Sequence, residues 1–274
     1  MTANSYCTLD DFLKWVTPLN VGPDYVDDVV IQDILEAVSR YIDDMACRTF
    51  YPRVETRSYD TPDEAQLYLD DDLLEVITLT NGDDTTIPST EYNLIPKNYS
   101  PHYAIKLNSI NSYYWTIDSS YGPDFAVDVS AIWGFHSEYA QRGWKTVTTL
   151  AEALDISELP WDLTDASTLE ADDILRVGNE LAIVASKSGN TATVKARGEN
   201  GSTAATHDIA ATVYAWLPMP EIKQACKQIA QNVYRRFGAN STDEQIVTAA
   251  GLVITPRDVP VLASRTIKTF ARMA

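Results

Sequence analysis

Ile42-Asp43-Asp44-Met45-Ala46-Cys47-Arg48-Thr49-Phe50-Tyr51-Pro52-Arg53-Val54-Glu55-Thr56-Arg57-Ser58 is the stretch where the chain changes its period. Before it, Val26, Val30, Ile34, Val38, Tyr41, Ile42 and Met45 return at helical spacing, which predicts one long amphipathic helix ending near Arg48. Pro52 disfavours helix in the residue before it, so the helix cannot continue. From Arg53 the period is two: Val54, Thr56 and Ser58 alternate with charged residues, the pattern of a strand closed by Tyr59-Asp60. A helical start followed by a run of strands sets the expected class as α+β.

Working outward, Thr8-Leu9-Asp10-Asp11 reads as a helix start, with Thr8 at the N-cap and Asp11 where a capping box usually has Glu. Leu9, Phe12, Leu13 and Val16 share a face, and Pro18 stops this first helix. Asn20-Val21-Gly22-Pro23 is a turn, and Asp24 is placed to cap the long second helix, whose first turn is acidic. Beyond Asp60, strands are expected at Gln66–Leu69, Leu74–Thr80, Tyr92–Ile95, Tyr103–Leu107, Tyr113–Ile117 and Phe125–Phe135. Asp70-Asp71-Asp72 falls between the first two as a solvated turn, and Asn81-Gly82 signals a hairpin.

Residues 140–216 form a separate pattern: a short helix at Thr149–Leu154, then short strands broken by Gly178-Asn179, Gly189-Asn190 and Glu199-Asn200-Gly201-Ser202. Tight turns between short strands suggest a small barrel-like unit. Helical spacing returns at Pro220, with Ile222, Cys226, Ile229, Val233 and Phe237 on one face and Gly238 as C-cap. Ser241-Thr242-Asp243-Glu244 is a capping box for a short helix through Ala250. Val253-Ile254-Thr255-Pro256 is an extended link, and a last helix carries Leu262, Ile267 and Phe270. The expected organisation is a helical part over 1–52, a mostly antiparallel sheet over 53–139, the inserted β unit over 140–216, helices over 217–250 that complete the helical core, and a C-terminal arm over 251–274.

The 274 residues carry a net charge of −18, unevenly spread. Residues 1–149 hold 24 acids and 9 bases, residues 150–216 hold 11 and 4, and residues 217–274 reverse to 4 and 8. An acidic body does not grip phosphates, which excludes a nucleic-acid-binding protein of the ordinary kind. Hydrophobic residues at 45% are enough for a core, and no apolar run approaches the roughly 18 residues of a membrane span. The first residues have neither a basic n-region nor an apolar h-region, so no signal peptide is expected. Cys7, Cys47 and Cys226 are odd in number and far apart, which suits a reducing cytosol better than a disulfide framework.

No catalytic constellation emerges. His102, His136 and His207 are isolated and none has metal-ligand spacing to another His or Cys. The sequence contains no phosphate-binding glycine loop, nucleophile elbow, dinucleotide fingerprint or zincin helix. Asp70-Asp71-Asp72 lacks EF-hand spacing. The expectation is therefore no enzyme, no metal and no cofactor. A pair of carboxylates for hydrolysis is the weakest alternative, because such pairs are made in space. Tyr113-Tyr114-Trp115 and the segment from Tyr139 to Trp144 read first as sheet core, and second as the platform of a carbohydrate- or receptor-binding module.

Three segments resemble the head–tail connector (adaptor) proteins of tailed phages. They are the short helix after Thr8-Leu9-Asp10-Asp11 with the long acidic helix running into Ala46-Cys47-Arg48-Thr49-Phe50; the pattern Leu74–Leu79, Asn81-Gly82, Glu91–Pro96; and the returning helix Pro220–Arg236 with a tail containing Pro256-Arg257-Asp258-Val259-Pro260. They cover roughly two thirds of the chain. Within the remainder, Ile174–Gly178, Glu180–Ala185, Gly189–Val194 and Gly198–Ala205 resemble a small β module of other phage virion proteins. The resemblance implies a virion protein of the neck, made in the host cytoplasm. Its subunits would form a ring, about twelvefold, beneath the portal protein and above a tail or tail-completion protein, with DNA passing through a central channel without specific binding. Helices would line and pack the ring, and the β parts would sit outside or face the tail.

Two expectations about sites follow. The basic arm would extend from the body and dock on the portal through Val253, Ile254, Arg257, Leu262, Arg265, Ile267, Lys268, Phe270 and Arg272. Asp33, Glu36, Asp43 and Asp44 of the long helix would face the channel or a neighbouring subunit.

Overall fold

A computed structural model describes residues 4–17, 28–108, 110, 113–120, 122–238, 246–247, 253–254 and 259–272. The chain is α+β and divides into two compact units. Arg48–Leu217 make a β unit, and Ala3–Cys47 with Pro218–Ala274 make a helical unit.

The β unit holds two sheets. Strands β1 (Arg53–Tyr59), β2 (Gln66–Thr80), β3 (Tyr92–Ile95), β4 (His102–Leu107) and β5 (Val127–Trp133) form the first, in the order β1-β5-β2-β4-β3 with every pair antiparallel. Its core is Leu67, Leu69, Leu73, Leu79, Ile105, Leu107, Val127, Val129 and Trp133. The two strands expected at 66–69 and 74–80 are one fifteen-residue strand, and Asp70-Asp71-Asp72 lies inside it rather than in a turn. The reason is charge pairing. Arg57 reaches Asp70 at 2.9 Å and Asp71 at 3.0 Å, Arg53 also pairs with Asp71, and Arg57 lies 4.7 Å over the Trp133 ring. With the acids neutralised, β2 runs through them by shifting its register against β4 between Tyr68 and Leu73.

Asn81-Gly82 does make a turn, but the chain returns only as far as Ile87, whose N–H donates to Leu79 O at 2.8 Å beside the Thr80–Thr86 bridge. The Asn81 side chain instead holds the segment expected as a strand at 113–117. Its amide donates to Tyr114 O and its oxygen accepts from Thr116 N, both at 3.0 Å. That segment is irregular because its backbone partners are this side chain and the hydroxyl of Thr61, not a ladder. A Cβ on Gly82 would stand 2.3 Å from Thr116 O, so only glycine allows the approach.

Strands β6 (Trp144–Thr149), β7 (Pro160–Asp162), β8 (Ile174–Val177), β9 (Glu180–Ser188), β10 (Thr191–Val194) and β11 (Thr212–Trp216) form the second sheet, in the order β6-β11-β8-β9-β10-β7. The short helix expected at Thr149–Leu154 is absent. Thr146, Thr148 and Thr149 are β-branched and extend β6 along β11 instead. The sheet curls without closing into a barrel, and its edges meet at a single bridge, Leu150–Leu163. Alternation is strict in β8 and β9: Leu175, Val177, Ala182 and Val184 face one core, Ile174 and Ile183 the other. The second core joins the two sheets, since Leu74 and Ile132 of the first pack with Ile174, Ile183 and Trp216 of the second.

The helical unit contains α1 (Leu9–Val16), α2 (Asp28–Ala46), α3 (Pro220–Gly238) and α4 (Val261–Phe270), with a two-stranded pair of β12 (Ile246–Val247) and β13 (Val253–Ile254). Thr8 caps α1 as expected, accepting from Asp11 N at 3.2 Å. Phe12 meets Tyr234 edge-on at 5.9 Å, Trp15 donates to Gln231 at 3.4 Å, and Asp11 pairs with Lys223, so α1 is fixed to α3 by apolar and ionic contacts together. Ile31, Ile34, Leu35, Val38 and Ile42 are the buried face of α2. The short helix expected through Ala250 does not fit Ile246 and Val247, two β-branched residues found paired in extended backbone with Val253 and Ile254. The expected turn at 20–23, the cap at Asp24 and the capping box at 241–244 lie outside the described residues.

Candidate functional site

Asp33, Glu36 and Asp44 are exposed on α2. Asp43 is not part of that surface. Its side chain is 17% exposed, accepts a hydrogen bond from the Tyr6 hydroxyl, and lies 3.0 Å from Arg40 Nε. Arg40 in turn donates to Asn4 O at 2.9 Å, and Tyr6 N donates to Ser39 Oγ at 2.9 Å. Asp43 therefore ties the segment before α1 to α2. Burial pushes its carboxyl up to about 6, against the opposing pull of Tyr6 and Arg40. Between about pH 4 and pH 6 the folded state thus holds a proton on Asp43 that the unfolded chain, near the ordinary aspartate value, has lost. The resulting stability is complete below about pH 4 and is lost as pH rises through 6. Asp43→Asn should flatten this slope. The stability difference between variant and parent should change by roughly 2 kcal/mol between pH 4 and pH 7 in urea melts. Parallel curves for the two proteins would assign the proton elsewhere.

The last helix of the expected arm does not extend from the body. Residues 261–270 are a helix whose Ala263 and Ile267, four apart, are fully buried in the helical unit, and Arg272 N donates to Ala46 O at 2.8 Å. Ile267 is a core residue, so it is not available as a docking contact. Leu262 at 64% exposure, Arg265 and Lys268 lie on the open side of α4, while Phe270 and Arg272 are half-buried. Val253 and Ile254 form β13, and Arg257 lies outside the described residues. The burial follows from amphipathic spacing, which the charge count alone does not reveal.

Between α2 and α3 runs an open apolar groove of about 560 Å³. Val30, Ile34, Ala37 and Tyr41 line one side, Ile229 and Val233 the other, and Asp33 stands at its rim. Val29, Tyr41, Val261 and Leu262 add exposed apolar surface to the same unit.

A dense polar cluster of the β unit is built on Glu180. Its carboxylate has no exposed surface and accepts from Arg197 Nε at 2.6 Å, Arg197 Nη2 at 2.8 Å, Ala205 N at 3.0 Å and Gly198 N at 3.2 Å, with His207 Nε2 at 2.8 Å. Arg197 also donates to the carbonyls of Glu158 and Ala205 and lies 5.4 Å over Trp161. Burial alone would raise the Glu180 carboxyl, but these donors hold it below its ordinary range. Every oxygen is occupied by protein, so the cluster pins loops and leaves no room for a substrate. His207 belongs to this interior network. His136 is also internal, 3.1 Å from Leu217 O and edge-on to Trp216.

A second polar group, which sequence reasoning missed, spans the two sheets. Arg176 forms a two-pronged pair with Glu75 at 2.7 and 2.8 Å, Tyr139 donates to Glu75 at 2.7 Å, and Trp144 donates to Tyr139 at 3.1 Å. Tyr139 and Trp144 pack against the core that joins the two sheets, as expected, and Trp144 also lines a polar hollow. Of the other aromatic group, Trp115 packs on the first sheet's core whereas Tyr114 is exposed.

Among the described residues, no group of three or more His, Cys, Asp and Glu is placed to hold a metal ion, and no helix is long and apolar enough to cross a membrane. Cys7 and Cys226 are buried thiols, Cys226 pushed up to about 12 by burial, and Cys47 is exposed.

No protein-family model matches the sequence, and no curated protein matches it. Among solved structures, the Gp54 tailspike of Acinetobacter baumannii bacteriophage AP22, solved in complex with A. baumannii capsular saccharide, is similar over 28% of this chain and 15% of its own, at 19% identity and a TM-score of 0.23. A likeness of that size defines neither a shared fold nor a shared function.

Proposed function

We propose that the chain is a structural virion protein, an adaptor subunit of the phage neck that assembles as a ring of about twelve between portal and tail around a DNA channel. The observation that carries this reading is the surface of the helical unit. Its apolar groove between α2 and α3 is open, exposed acids Asp33 and Glu36 stand along α2, and exposed bases Arg265 and Lys268 stand on α4. An apolar hollow together with acidic and basic edges on different elements suits a heterologous contact, in which one face of a subunit meets a different face of the next. Such contacts make rings when the rotation from one subunit to the next closes. The order of segments along the sequence, helical at both ends with β structure between, is the second support. In this ring α4 works as a fixed element of the subunit, and docking on the portal falls to its exposed Leu262, Arg265 and Lys268.

The test is light scattering and negative-stain microscopy of the purified chain, alone and mixed with the portal protein of the same phage. The expected result is a ring, with portal or alone, that is lost when Ala37→Arg places a charge in the groove and weakened by Asp33→Lys with Glu36→Lys. A chain that stays monomeric in both settings overturns the reading.

A further inference from the structure

The hollow at Glu75 and Arg176 is one end of a longer depression on the β unit. It measures about 430 Å³ and is lined by Glu75, Trp144, Arg176, Gly178, Asn179 and Tyr214. A neighbouring hollow of about 580 Å³ shares Gly178 and Tyr214 with it and adds Thr206, Asp208 and Thr212. Gly178 sits at the junction in the β8–β9 turn, at φ +59°. A Cβ there would meet only His207 Cε1, at 3.8 Å, so the glycine leaves open space where the two hollows join. Each volume is within the range of small-ligand sites, and joined they make an elongated groove.

The lining sets the chemistry. Glu75 and Arg176 cancel each other, and Asp208 adds a negative charge in the second hollow, so phosphates and carboxylates find no net attraction. A purely apolar ligand would strand the polar groups. Arg176 has five N–H donors. Nε is given to Gly178 O at 2.7 Å and one from each terminal nitrogen to Glu75. The Tyr139 hydroxyl is a further hydrogen-bond partner of Arg176, so one N–H group is left beside the carboxylate oxygens, a donor and acceptor pair that matches a neighbouring hydroxyl. The Asn179 amide, the Tyr214 phenol and two threonines extend the same mixed pattern along the groove, and the aromatic side chains of Trp144, whose ring carries the Arg176 guanidinium at 5.6 Å, and Tyr214 add apolar surface to its lining. We infer that this groove binds a neutral saccharide of two or three units. The inference goes beyond the ring reading and does not depend on it.

Saturation-transfer NMR and titration calorimetry on the full chain test it, with maltotriose, cellotriose and chitotriose as neutral probes and a glucuronic-acid disaccharide as the anionic comparison. At least one neutral probe should bind, and Tyr214→Ala should weaken it by about tenfold or more. Asn179→Ala, on an exposed turn, should weaken it without changing the melting temperature, which separates lost contact from lost fold. Gly178→Asn, a residue that tolerates this backbone, should cost the trisaccharide more than the matching disaccharide. Absence of transfer from all three neutral probes, binding unchanged in the Tyr214 and Asn179 variants, or preference for the anionic disaccharide would each overturn the assignment.

Discussion

Glu180→Ala should lower the melting temperature of the β unit by roughly 10 °C. Removing one partner of a buried pair leaves an uncompensated charge and costs about 3–5 kcal/mol, and a unit of this size loses a few degrees per kcal/mol. Arg197 would be left at 5% exposure without its carboxylate, and the amides of Gly198 and Ala205 would lose their acceptor. Glu180→Gln should do nearly as badly. A carboxylate here receives donors on both oxygens, whereas a carboxamide presents its own N–H₂ to one set of them. The pH dependence follows from the lowered carboxyl: the contribution is complete above the ordinary glutamate value and is lost as pH falls through the lower folded value. Calorimetry at pH 7 and pH 4 checks both statements. A melting point within 2 °C of the parent for the alanine variant would mean that the network is a surface decoration.

Which features the sequence disclosed depends on the separation of the partners. The helix-to-strand handover at Pro52, the Thr8 cap and the turns at Gly178 and Gly189 are local events, set by residues within a few positions, and the structure has each of them. Asp70-Asp71-Asp72 looked like a turn because three adjacent acids repel one another and are well solvated. Asp70 and Asp71 are held in the strand by Arg53 and Arg57 of β1, which reach them across β5, and Asp72 lies 3.5 Å from Arg48. Glu180 opens an apolar run and has nothing nearby in sequence to mark it, since its partners sit at 197 and 207. The Glu75–Arg176 pair joins residues 101 positions apart on different sheets. No local pattern encodes such a pair; it appears only when both strands are placed.

The same contrast divides the two proposals. The ring reading rests on one unit, through surface features that a resemblance drew attention to. The saccharide groove rests on the other unit, through a polar constellation that the sequence concealed. A virion protein with a ring-forming helical unit and a glycan-binding β unit would combine assembly and recognition in one chain. The experiments separate them, because Ala37→Arg leaves the groove of the β unit untouched and Asn179→Ala leaves the helical unit untouched.

Ile267→Asp decides whether α4 is an arm or part of the body. Ile267 is fully buried, and a carboxylate forced into that position would either stay neutral at a high energetic cost or expel the helix. Truncation to alanine already removes about 2–5 kcal/mol at such sites, and the charge makes docking untenable for a ten-residue helix that is not stable alone. The expected result is local release of α4. Arg265, Lys268 and Arg272 flank Ile267 and become trypsin sites once the helix melts. Cleavage after them should be slow in the parent, where the helix holds the backbone, and faster by an order of magnitude or more in the variant, tracking the population of the open form. Loss of the Arg272–Ala46 hydrogen bond would also fray the end of α2. If the trypsin pattern and the melting curve were the same in both proteins, α4 would be undocked in solution and the segment would be free to act as the extended portal-binding arm. If the variant alone is cut, the portal docking proposed above has to use the outer face of a docked helix, and Leu262→Asp, on that face, should abolish such binding while leaving trypsin resistance intact.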